Sequence, residues 1–282
     1  MQGLAYNVRR IETKFFTEFW EYETPILRGR KEKKRRFEKD DLNSEKKTKV
    51  AEKIVDLEKL RISEKRREKW YKNKRFEISR IIDCNYEQGR SKFVTLTFKE
   101  NLVDLSVANK EFRKFIKRLS YNLYNHEAKL QYIAVWERQK RGAIHYHLVL
   151  FDVPYLANAK LARIWRHGFV KIRHVKMEKE IDSIENVGRY ISKYFEKNAM
   201  DTPRGTKVFF RSHNLVEPRV RRYVEWSRVN FEGDDVVYQN EYMRIVPDFN
   251  SLTGAYRETK VRYTKIRKER GNVDIRFRRM LQ

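Results

Sequence analysis

Only one cysteine, Cys84, occurs in the 282 residues. That excludes an internal disulfide framework and any cysteine-rich zinc finger, and it points to a reducing, intracellular setting. The dipeptide Gly-Lys is absent, so there is no Walker A loop and no built-in ATP-driven helicase of that type. Duplex unwinding then falls to another protein. No run of 18 or more apolar residues occurs, and residues 1–10 lack the apolar core of a signal peptide. A membrane role is therefore not expected, and the expected location is the cytoplasm. Internal repeats and low-complexity linkers are missing as well.

Acidic residues are also scarce against the basic ones. Sixty-five Lys and Arg face 39 Asp and Glu, a formal net charge of +26 with a pI near 10.0. An excess of this size calls for a polyanionic partner, and nucleic acid comes first because phosphate neutralisation releases counterions.

The texture of the chain divides it at about residues 88 and 200. Residues 1–88 read as a basic, mainly helical region that contacts DNA or stays partly disordered. An aromatic opening (Phe15, Phe16, Phe19, Trp20, Tyr22) gives way to the charged tract 28–39, and Val50, Ile54, Leu57 and Leu60 then recur at helical spacing. Residues 89–200 alternate in type: strand 93–98, helix 107–126, strands near 131–137 and 144–151, a short helix 157–165, strand 169–175 and a helix over 183–198. That order predicts an α+β domain, a central antiparallel or mixed sheet with helices packed on it. Residues 201–282 read as a β-rich extension of the same sheet ending in a basic tail with Arg276, Arg278 and Arg279.

The chemistry gathers in Gly142-Ala143-Ile144-His145-Tyr146-His147-Leu148-Val149-Leu150-Phe151. Residues two apart leave the same face of a strand, so His145 and His147 point together while Ile144, Tyr146 and Leu148 point away. A hairpin turn centred near Arg141 sets Glu137 opposite His145, where directly paired Cβ atoms lie about 5 Å apart. Two imidazoles and a carboxylate suit a divalent cation acting as a Lewis acid. A structural role for histidines in a strand is the plainer reading. His126, His167, His174 and His213 lack a partner at metal spacing and read as surface or structural residues.

Further on, Gly188-Arg189-Tyr190-Ile191-Ser192-Lys193-Tyr194-Phe195-Glu196-Lys197 places two tyrosines four apart on the expected helix, each with a lysine three residues later. A phenol is mostly protonated at neutral pH, and a neighbouring ammonium helps it act as a nucleophile. Packing is the alternative role for a Tyr-x-x-x-Tyr pair.

Taken together these residues resemble the HUH-endonuclease superfamily, and within it the rolling-circle replication initiators of plasmids and bacteriophages. Residues 93–98 are similar to the family's first motif, His145-Tyr146-His147 to its metal motif, and Tyr190-Ile191-Ser192-Lys193-Tyr194 to its nucleophile motif. The resemblance covers residues 89–197, with the motifs in the family order. It implies an HUH nuclease fold in which Glu137, His145 and His147 hold Mg²⁺ or Mn²⁺. Tyr190 would be the primary nucleophile, Lys193 would act on phosphate or phenol, and Tyr194 would be either a second nucleophile or a packing residue. The implied activity is nicking and rejoining of single-stranded DNA at a replication origin, expected to form a stem-loop, with host helicase and polymerase as partners. A relaxase or transposase would use the same site. A DNA-binding protein without catalysis and an RNA-binding accessory protein are the readings from other classes.

Overall fold

The computed structural model describes residues 5–27, 49–125, 127, 129–174, 206–247 and 256–268. Their elements, in chain order, are β1 (Ala5–Glu12), β2 (Phe16–Leu27), α1 (Lys49–Asn85), β3 (Lys92–Thr97), α2 (Leu105–Tyr124), β4 (Gln131–Arg138), β5 (Ile144–Phe151), α3 (Asn158–Trp165), β6 (Val170–His174), β7 (Phe209–Arg211), β8 (Arg219–Tyr223), β9 (Asp235–Pro247) and β10 (Tyr256–Arg267). The chain separates into two compact units, Lys65–Glu217 and the combination of Met1–Glu64 with Pro218–Gln282.

The unit Lys65–Glu217 is built on a five-stranded sheet in the order β6-β3-β5-β4-β7, every neighbouring pair antiparallel. Its middle strand, β5, has the sequence Ile-His-Tyr-His-Leu-Val-Leu-Phe, and all eight residues are buried. On one face Val94, Leu96, Ile144, Tyr146 and Leu148 pack with Phe112, Phe115 and Leu119 of α2 and Trp165 of α3. On the other, Phe93, Ile133, Val135 and Val149 meet Ile78, Ile81 and Ile82 of α1. Each such side chain contributes about 1.5–3 kcal/mol of burial. A strand covered on both faces needs a nearly continuous apolar run, and the two histidines stand out within it.

Helix ends in this unit follow ordinary capping chemistry. The Asp104 carboxylate accepts hydrogen bonds from the Ser106 and Val107 amides at 2.7 and 3.2 Å and fixes the start of α2. Asn125 ends it in the left-handed region, its amide donating to the Tyr121 carbonyl at 3.0 Å.

The second unit carries another antiparallel sheet, in the order β8-β1-β2-β10-β9. Thr13 closes the β1–β2 hairpin, its hydroxyl accepting from the Phe16 amide at 3.1 Å. On one face Val8, Phe19 and Ile266 pack beneath Tyr223, Val229 and Phe231.

Two expectations change here. Residues 5–27 form strands within a stretch read as mainly helical, because the aromatic and branched residues alternate along β2, with Phe16, Trp20 and Tyr22 on one side and Phe19 on the other. Of the C-terminal strands, only β7 extends the first sheet; β8, β9 and β10 complete the second one with β1 and β2. The compact units accordingly divide near residues 64 and 217, where composition draws lines at 88 and 200. The expected helix over 183–198 and the basic tail lie outside the described residues. Among the described residues, no helix is long and apolar enough to cross a membrane.

Candidate active site

The β4–β5 hairpin sets the site. Its turn is closed by the Gln139 amide donating to the Ala143 carbonyl at 2.9 Å and the Gly142 amide donating to the Gln139 carbonyl at 2.8 Å. With that turn, Arg138 pairs with Ile144 and Glu137 with His145. Glu137, His145 and His147 therefore share the sheet face opposite α2, and all three are buried.

His147 Nε2 and a Glu137 carboxylate oxygen are 2.8 Å apart, a charge-assisted hydrogen bond. The other ring nitrogen of His147 lies 3.2 Å from the Thr95 hydroxyl, and His145 Nδ1 lies 3.4 Å from the Thr97 hydroxyl, a weaker contact. Both threonines belong to β3, which pairs Thr95 with His147 and Thr97 with His145. A hydroxyl donates and accepts equally well, so these contacts support either imidazole tautomer. The Phe93 ring lies parallel to His147, with the ring centres 6.0 Å apart.

His145 differs from its neighbour. Its Nε2 is buried and has no hydrogen-bond partner among the described residues. Burial, reinforced by nearby His147, lowers its pKa from 6.5 to about 4, with Glu137 opposing and Arg141 adding to the shift. At neutral pH the ring is therefore uncharged and the Nε2 lone pair is available when the proton sits on Nδ1.

This donor set fits a divalent cation in kind: an orphaned imidazole nitrogen, a second imidazole and a carboxylate on one face. It is not a finished cage. Among the described residues, no cluster of three or more His, Cys, Asp or Glu side chains is set as it stands to hold a metal ion. A cation held by all three would require the His147–Glu137 hydrogen bond to open and the ring proton of His147 to sit on Nδ1, where the Thr95 hydroxyl can accept a hydrogen bond from it.

Of the residues singled out in the sequence, Glu137, His145 and His147 are brought together, while Tyr190, Lys193 and Tyr194 lie outside the described residues. His167 hydrogen-bonds Glu111 at 3.0 Å and serves the α2 side of the unit. Thr95 and Thr97 are site residues that the sequence alone does not single out. Their alternation in Thr95-Leu96-Thr97 carries the same period as the histidines, but the pairing of β3 with β5 joins strands about fifty residues apart and has no local signature.

Residues 91–199 match a family model of replication-associated proteins, the ORF2 type. The Phasyl DNA replicon protein arp of Escherichia coli is 27% identical over 146 residues, covering 43% of this chain and 48% of that protein. The chain thus spans about half the length of this curated relative. No solved structure matches. The paired histidines and their glutamate lie inside the matched segment, residues 91–199, which is similar to replication-associated proteins.

Proposed function

We propose that this protein initiates replication by nicking and rejoining single-stranded DNA at a replication origin through a 5′-phosphotyrosine intermediate, the opening step of rolling-circle replication. The observation that carries the reading is the in-register pairing of Glu137 with His145, with His147 hydrogen-bonded to the same carboxylate, inside the segment matched to replication-associated proteins.

Glu137, His145 and His147 would hold Mg²⁺ or Mn²⁺, which when bound supplies Lewis-acid polarisation of the scissile phosphate. Tyr190 attacks the phosphorus; a bond forms from its phenolic oxygen, the bond to the 3′ oxygen breaks, and the phenol proton is balanced by protonation of the leaving 3′ oxygen. Lys193 stands one helical turn from Tyr190 on the expected helix and favours the phenolate. The product keeps one phosphodiester, so the transfer is reversible and needs no ATP. Tyr194 is the candidate for the second cut and rejoining. Thr95 and Thr97 orient the two imidazoles.

The reading is tested with labelled single-stranded stem-loop oligonucleotides from the replicon that encodes the protein, incubated with Mn²⁺. Wild type is expected to yield a protein–DNA adduct stable to denaturant, and Tyr190→Phe none. DNA binding without an adduct on any of these substrates would leave a non-catalytic DNA-binding protein.

A further inference from the structure

The second sheet has two chemically different faces. The face covered by Tyr223, Val229 and Phe231 carries three ion pairs, Arg262 with Glu21 at 2.6 Å, Arg10 with Glu12 at 3.0 Å and Lys260 with Glu241 at 2.5 Å, beside the exposed Arg219 and Arg221. The opposite face is basic and aromatic. One row of directly paired residues crosses all five strands on it: Arg222, Arg9, Trp20, Tyr263 and Asn240.

Neighbouring side chains on this face touch, the ring pairs tilted by about half a right angle and Arg222 lying 5.7 Å over the Tyr6 ring. The Arg9 guanidinium lies 5.0 Å over the Trp20 ring, Trp20 and Tyr263 rings are 4.9 Å apart, and Tyr238 in the next row lies 5.9 Å from Tyr263. Trp20, Arg9 and Tyr263 are half-buried; Arg222 and Asn240 are exposed, and Tyr238 is 52% exposed. The one carboxylate in these two rows, Glu18, is buried and accepts a hydrogen bond from the Tyr263 hydroxyl at 3.0 Å.

We propose that this face is a second binding site, a stacking platform for single-stranded DNA. Aromatic rings set among arginines offer bases a stacking surface and phosphates a counter-charge, the combination that grips unpaired strands without reading sequence. A duplex cannot use it, because its base faces are already stacked. At about 4.8 Å per strand the row spans roughly 19 Å, the length of a few nucleotides. Rings and arginines occur together on this face, while the other face carries the ion pairs, and the combination selects a polyanion with unpaired bases.

The experiment uses the full chain carrying Tyr190→Phe, so that no sample forms an adduct and the result does not depend on whether the protein nicks DNA. Fluorescence anisotropy at fixed salt compares a thymidine oligonucleotide with an abasic one and with a duplex of equal length. Arg222→Gln is set against Arg221→Gln, an exposed neighbour on the same strand whose side chain leaves the other face. Tyr238→Ala is set against Tyr238→Phe, which keeps the ring.

Expected are a severalfold loss of single-strand affinity for Arg222→Gln with Arg221→Gln within twofold, and at least a fivefold loss for Tyr238→Ala with Tyr238→Phe close to wild type, at unchanged thermal stability. Equal losses in the two arginine variants, an unaffected Tyr238→Ala, or abasic DNA bound as well as thymidine DNA would each overturn the platform.

Discussion

His145 sits in the middle of a sheet with one ring nitrogen against Thr97 and the other buried without a partner among the described residues. Protonating it there places a charge where solvent does not reach, and so its pKa falls to about 4. In the unfolded chain the same ring titrates near 6.5. The folded value is depressed, so the neutral ring's contribution to stability is full above pH 6.5 and is lost as pH falls through 6.5 towards 4. Carboxylates also lose stability in acid, Glu111 and Glu241 among them, since their pKa values are lowered by hydrogen bonds to Lys114 and Lys260 respectively. The isolating measurement is therefore a difference. In chelator-containing buffer, the Tm of wild type minus that of His145→Asn is expected to shrink steadily between pH 6.5 and 4. A difference that stays flat over this window would mean that the ring protonates normally and is not desolvated.

At the scale of elements, the end of β3 depends on a close backbone crossing. Gly168 has φ +147, and a Cβ there would lie 2.4 Å from the Lys99 amide nitrogen and 2.5 Å from the Thr97 carbonyl oxygen. Those atoms belong to the crossing itself, where the Thr97 amide donates to the Phe169 carbonyl at 2.9 Å and the Lys99 amide donates to the His167 carbonyl at 2.7 Å. Nothing flexible can yield, so Gly168→Ala must push β3 and the approach to β6 apart. A cost of about 3 kcal/mol or more is expected in urea unfolding. Gly89→Ala is the control: φ is +81 with open space around the Cβ, so only the conformational penalty of roughly 1 kcal/mol applies. Equal costs in the two variants would refute the crossing. The same region shows what local pattern carries. The β4–β5 hairpin was legible because its turn fixes the register within about fifteen residues, so Glu137 could be set against His145 from sequence alone. The partners of β1 and β2 come from residues 219–223 and 261–267, beyond any local period, and the alternation in residues 16–22 went unread beside the charged tract that follows it. Residues 235–247 form a single strand, because the pairing with β10 continues through the polar Gln239, Asn240 and Glu241.

For the whole molecule, a formal charge of +26 and an uncharged His145 would, on the proposed function, assign binding and cleavage to different residues. Affinity for single-stranded DNA comes mainly from Lys and Arg neutralising phosphates, and log Kobs then falls with log salt at a slope of about −0.7 per phosphate. His145 is uncharged at neutral pH and takes no part in that count. Replacing both histidines, His145→Ala with His147→Ala, is accordingly expected to abolish adduct formation while leaving the salt slope within about 0.7 of wild type, one phosphate's worth. The arginines of the second sheet behave in the opposite sense, since removing Arg222 takes away a cation that faces solvent and leaves Glu137 and His147 untouched. Titrations of wild type, the double histidine variant and Arg222→Gln over about 50–200 mM salt, run beside the adduct assay, separate the two functions. If the double histidine variant loses binding along with cleavage while its unfolding midpoint drops, the histidines hold the strand together and the site has been misassigned.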